Sequence, residues 1–188
     1  MRCPQCRRNR VAPEVAGCLC GAMPDESTQR LHLHAIDVAE GERILARTPD
    51  ATDSWADDFP SQGDCRAVGA FVRASTSHGD QRPFGFYRIT RADDAVTIGG
   101  IGFKGQPVDG RVEIGYGIVP SARGHGYAAE AVTALVALAG ENGVSLLLAD
   151  TDLDNVASQM TLVHAGFSRM RTDEALHFYE LELPDASG

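Results

Sequence analysis

Val112-Glu-Ile-Gly-Tyr-Gly-Ile-Val-Pro-Ser-Ala-Arg-Gly-His-Gly-Tyr-Ala-Ala-Glu-Ala131 leads a strand through a glycine turn into a helix. In extended chain, Glu113, Gly115, Gly117 and Val119 point to one face, and the two glycines leave open space beside the carboxylate. After Pro120 the period changes from two to 3.6. Ala128, Ala131, Val132, Leu135, Leu138 and Ala139 then form one helical stripe, which Asn142-Gly143 ends. Gly124 and Gly126 let backbone approach a ligand closely. The helix behind them opens with unpaired N–H groups and a partial positive charge, which together make a cradle for pyrophosphate. Arg123 at its mouth can add a charged contact. A turn that merely reverses the chain would look similar. The segment also lacks the third glycine of a dinucleotide fingerprint and the Gly-Lys-Ser/Thr of a Walker loop.

Upstream, Leu31-His-Leu-His-Ala-Ile36 alternates like a half-buried strand, and Asp37 can cap a helix to Arg47. Residues 48–64 read as a loop, and a second helix over 64–74 turns Ala67, Val68 and Phe71 to one side. Strands near 84–90, 95–103 and 111–119 are separated by Ala92-Asp-Asp and Gln106-Pro-Val-Asp-Gly, both suited to hairpin turns. Downstream, Ser145-Leu-Leu-Leu-Ala149 is a central strand. Asp152 or Asp154 caps a helix that packs through Val156, Met160 and Val163 and ends at Gly166. Strands over 167–171 and 177–183 close the set. Antiparallel hairpins followed by a βαβ crossover predict an α/β domain of the mixed α+β kind, a mixed central sheet with helices on both faces.

The chain has 188 residues, enough for one such domain and a short appendage. A net charge of −9 argues against a protein that coats nucleic acid. No apolar run approaches a membrane span, and the polar start lacks a signal peptide's core, so a cytoplasmic location is expected. Cys3, Cys6, Cys18 and Cys20 cluster at the front with Arg2, Arg7, Arg8 and Arg10. Four soft ligands in a segment too small for its own core point to a structural zinc knuckle of four cysteines over 1–22, with disulfides or free thiols as the alternatives. Residues 23–30 read as a linker to the domain over 31–184.

Ile114-Gly-Tyr-Gly-Ile-Val-Pro120, Arg123-Gly-His-Gly-Tyr-Ala-Ala-Glu-Ala131, Asp154-Asn-Val-Ala-Ser158 and Ala165-Gly-Phe167 follow one another in an order and spacing that resemble the GNAT acetyltransferase superfamily. The resemblance is strongest to the branch that acetylates ribosomal-protein N-termini, and it covers about residues 31–183. It implies the GNAT fold, acetyl-CoA as cosubstrate, and acetyl transfer to a primary amine: a small cationic amine, an antibiotic or a protein N-terminus. The cofactor would lie along Gly117, Ile118, Val119, Arg123, Gly124, His125, Gly126, Tyr127 and Ala128, with Asn155 on the pantetheine arm. One departure stands at Ser121, where the family's cradle motif has Gln or Arg.

The resemblance also assigns chemistry. An amine arrives mostly protonated and must lose a proton, and Glu113 lies where many members place the glutamate that takes it. Ser158 would protonate the leaving thiolate, since Leu162 stands where many members have a tyrosine; bulk water is the alternative acid. Backbone N–H groups from Gly117 to Val119 would hold the oxyanion. In the 48–64 loop, Trp55, Asp57, Asp58 and Phe59 could offer a cationic acceptor an acidic rim and an aromatic floor, or simply form a solvated loop. No residue is placed as a covalent nucleophile, so direct transfer in a ternary complex is expected. A catalytically idle acyl-CoA sensor with a zinc knuckle is the competing function, and a homodimer is compatible with either.

Overall fold

The computed structural model describes residues 25–184. Its elements are β1 (Glu26–Ser27), β2 (Leu31–Ala35), α1 (Val38–Ala46), α2 (Gln62–His78), β3 (Phe86–Arg91), β4 (Thr97–Phe103), β5 (Arg111–Ile118), α3 (Tyr127–Glu141), β6 (Leu146–Asp152), α4 (Val156–His164), β7 (Ser168–Thr172) and β8 (Leu176–Glu182). The expected order holds. Added to it is β1, which pairs with β2 inside the stretch read as a linker.

The strands form one sheet in the order β1-β2-β3-β4-β5-β6-β8-β7, antiparallel except where β5 meets β6. Period-two chemistry sorts the helices between its faces. A Cβ on Gly117 would meet Asp64 of α2, whereas the neighbouring Tyr116 bonds Ser158 of α4. Thus α2, with α1 against it, covers one face, while α4 and its partner α3 cover the other. Between them Ile98, Ile101, Ile114, Leu135 and Leu147 are fully buried, each contributing about 1.5–3 kcal/mol.

Side-chain capping accounts for the starts of α1, α2 and α4. Asp37 accepts from the Glu40 amide at 2.8 Å, as expected. Helix α2 begins earlier than its apolar pattern suggested, because Ser61 and Asp64 form a reciprocal capping box. The cap of α4 is Asn155, not Asp152 or Asp154. The packing face of α4 is also corrected: Val156, Met160 and Val163 are 63%, 51% and 55% exposed, and fully buried Leu162 holds the helix to the core.

An ion network ties α1 to the sheet. Arg88 on β3 meets Glu40 and Asp53, each at 2.9 Å, and His34 on β2 bonds Glu40 at 3.0 Å and Asp25 at 2.9 Å. The Glu40 hydrogen bond chiefly, against the opposing effect of burial and with help from Asp25, pushes the imidazole's pKa from 6.5 up to about 9. A raised folded-state pKa stabilises the fold fully below pH 6.5, and that contribution is lost as pH rises through 9. The side chain is 38% exposed, so solvent screening keeps the slope shallow. Urea melts at pH 6, 7.5 and 9 should show stability falling with pH, and His34→Gln should flatten the trend. An equal slope in both proteins would contradict this assignment.

Candidate active site

The parallel pairing of β5 and β6 runs only from Arg111↔Leu146 to Glu113↔Leu148. Beyond that point β5 continues to Ile118 and β6 to Asp152, but the two no longer bond. Strand β5 stays paired on its other edge with β4 as far as Gly99↔Ile118, so its β6-facing amides and carbonyls from Gly115 onward are left for a ligand. The parted strands lead straight to the glycine turn.

The turn has the geometry that its sequence suggests. Gly124 and Gly126 adopt φ +81° and +79°, the left-handed region where a side chain is strained. Gly126 caps α3 without any side-chain hydrogen bond, which leaves the first amides of the helix to an anion. Arg123 is exposed, and its Nε donates to the Ile118 carbonyl at 2.9 Å, holding the guanidinium over the mouth. His125 turns its Nδ1 to the Arg123 carbonyl and stacks on Tyr127 at 5.6 Å.

Two groups of contacts brace this turn from a distance. Arg30 donates to the His125 carbonyl, pairs with Glu130 and lies 5.0 Å over the Tyr127 ring; Thr28 also bonds Glu130. Ser121, the departure from the family motif, donates its amide and hydroxyl to Asp58. Those bonds hold the Asp58 carboxyl below its usual range and fasten the acidic loop to the cradle's entry.

Glu113 faces the glycine-cleared side in a group that the sequence did not suggest. Lys104 bonds both Glu113 and, at 3.0 Å, Asp150 on β6. Burial and the bond shared with Asp150 raise the Glu113 carboxyl, with Lys104 opposing. For Asp150, bonds from Glu113 and Lys104 outweigh burial and hold it low. A raised carboxyl is the better proton acceptor near neutral pH. The only available sequence signal was compositional, since Lys104 is the chain's single lysine.

On the opposite side of β5, the Tyr116 hydroxyl bonds the Ser158 hydroxyl at 2.9 Å across the gap to α4. Asn155 caps that helix by accepting from the Ser158 amide, which leaves its amide nitrogen free to donate. Leu162 is core.

Over the α2 face lies a cavity of about 620 Å³. Gly115 and Gly117 of β5 form part of its floor, and Asp64, Phe71, Phe84 and Phe103 stand around it. Trp55, Asp57, Asp58 and Phe59 are not among its lining residues. Phe59 is buried, and Trp55 packs edge-on to it at 5.3 Å and bridges to Thr97. Cys3, Cys6, Cys18 and Cys20 lie outside the described residues. Among the described residues no group of three or more His, Cys, Asp or Glu could hold a metal, and no helix is long and apolar enough to cross a membrane.

Parted parallel strands, a face cleared at Gly115 and Gly117 and an uncapped helix behind a glycine turn form a slot ending in an anion cradle, a place suited to an acyl-CoA cosubstrate. Comparison with known proteins agrees. Residues 30–168 match the acetyltransferase (GNAT) domain model. An uncharacterized N-acetyltransferase of Bacillus subtilis is 30% identical over 147 residues, spanning 74% of this chain and 87% of its own. An acetyltransferase from Agrobacterium tumefaciens shares the fold at TM-score 0.61 and 21% identity, covering 86% of this chain and 96% of its own. RimL, a ribosomal α-N-protein acetyltransferase solved with coenzyme A, shares it at TM-score 0.60 and 16% identity over 83% and 96%. The chain belongs to the GNAT acetyltransferase family and is an acyl-CoA-dependent N-acetyltransferase.

Proposed function

We propose that the protein carries acetyl from acetyl-CoA directly to a primary amine. The observation behind this reading is the end of β5–β6 pairing at Glu113↔Leu148, which opens a slot leading into the glycine cradle. A RimL structure containing coenzyme A supports the choice of cofactor. Gly124, Gly126 and the first amides of α3, at Tyr127 and Ala128, hold pyrophosphate with Arg123 and His125 beside them. The backbone of Gly117, Ile118 and Val119 aligns the pantetheine and polarises the thioester, and the Asn155 amide nitrogen steadies the arm.

The amine attacks the thioester carbon from the glycine-cleared side. Its proton passes through water along the Gly115–Gly117 face to Glu113, whose raised pKa suits it to the task. As the intermediate collapses, the C–S bond breaks and Ser158, in contact with the Tyr116 hydroxyl, gives a proton to the thiolate. Acceptors of two kinds fit this chemistry, a small cationic amine and a protein N-terminus. The test is an amine panel assayed for free-CoA release. Release that depends on at least one amine is expected, whereas CoA binding with no turnover across the panel would favour an idle acyl-CoA sensor.

A further inference from the structure

Asp64 is 4% exposed and lines the 620 Å³ cavity. Its Oδ2 accepts the Ser61 amide at 2.8 Å and so belongs to the helix cap. Its Oδ1 has no hydrogen-bond donor among the described residues and lies 3.9 Å from where a Cβ on Gly117 would stand. Burial raises this carboxyl above its ordinary range, against the opposing hydrogen bonds from Ser61. A carboxylate so placed is costly unless a donor closes on it.

Most of the remaining lining is apolar, with Gln81 the buried polar side chain among it. Phe84 and Phe103 meet edge to face at 5.1 Å, and Phe71 crosses from α2 to within 3.2 Å of a Cβ built on Gly85. Between these rings and the strand the floor is backbone, since a Cβ on Gly115 would touch only the Lys104 side chain. Two cations, Arg66 and Lys104, also line the cavity. Lys104 is neutralised by Glu113 and Asp150, and Arg66 is exposed.

From these observations we infer that Asp64 anchors the acceptor's amino nitrogen, and that the acceptor is a primary amine on an aromatic or bulky apolar body seated among Phe71, Phe84 and Phe103. This rests on the acetyl-transfer reading above and adds to it the acceptor class. Asp64 and Glu113 do separate work. Gly117 lies four residues beyond Glu113, roughly 13 Å along an extended strand, so the two carboxylates do not share one nitrogen. Asp64 holds the incoming amine beside the thioester stretch, and the proton that the amine gives up passes through water along the Gly115–Gly117 face to Glu113. The chemistry is the same for a free arylalkylamine and for a chain beginning with a large apolar residue.

The test begins by titrating CoA into the full chain by calorimetry. Failure at that step removes the acetyl-transfer reading itself. With CoA bound, phenethylamine, a tripeptide amide beginning with phenylalanine, and ethylamine are titrated separately. At least one of the two aromatic amines should bind about tenfold or more tighter than ethylamine. Binding by phenethylamine assigns a small-molecule source, and binding by the peptide alone assigns a protein N-terminus. In Asp64→Asn the amide oxygen still caps α2, so the thermal midpoint should hold. Acceptor KM should rise about tenfold or more, with kcat within a factor of about three. CoA binding without any preference for the aromatic amines would overturn the inference, as would an Asp64→Asn variant with unchanged acceptor KM.

Discussion

Gly126→Val is expected to lower acetyl-CoA affinity by about 100-fold or more while the protein still folds. Gly126 sits at φ +79°, where a side chain costs about 1–2 kcal/mol and a β-branched one more. That strain favours a relaxed turn in the free protein, which binding must reverse at a cost of up to about 30-fold, and the new methyl groups would occupy space needed by the pyrophosphate. The fold survives because a Cβ there meets nothing closer than Arg30 at 3.6 Å. Gly124→Asn is a useful companion: asparagine tolerates left-handed backbone, so its loss of affinity measures the side chain and not the strain. Calorimetric titration of both variants checks the point. Near wild-type affinity in Gly126→Val would mean that the turn does not hold phosphate.

Glu113→Gln should lower kcat about 10²-fold or more and leave acetyl-CoA affinity unchanged, the usual scale for a general base. The deficit should shrink as pH rises, because more of the amine is then already neutral and less depends on a base. Asp150 makes the result more informative. Without the Glu113 charge, Lys104 pairs with Asp150 alone, so a residual rate with its own pH dependence would identify Asp150 as a stand-in. A pH–rate profile matching wild type in height and shape would exclude Glu113 from proton transfer.

The strand–turn–helix was legible because its determinants are local: alternation through Glu113, Gly115 and Gly117, the break at Pro120, and glycines where φ must be positive. Helix α4 was misread for an equally local reason. It is nine residues long with apolar side chains on two faces, and periodicity cannot say whether Val156, Met160 and Val163 or Leu162 turns inward. The sheet decides, by burying Leu162. The Lys104–Glu113–Asp150 group joins residues 46 positions apart, and the Asp64 cavity exists only once α2 lies over β5. Neither leaves a mark in any single stretch of chain. The acidic loop shows the opposite error. Its aspartates looked free as a run, yet Asp53 pairs with Arg88 and Asp58 holds Ser121.

Thermal denaturation of the full chain with increasing acetyl-CoA puts the cradle to its plainest test. A ligand that binds only the folded state adds RT ln(1 + [L]/Kd), about 2.7 kcal/mol at 100 times Kd. For a chain of this length such a gain is worth roughly 5–10 °C in the midpoint. A rise of that size, growing with the logarithm of ligand concentration, is predicted with acetyl-CoA and with CoA, and most of it should be lost in Gly126→Val. A midpoint that does not move with either ligand would contradict acyl-CoA binding at this turn.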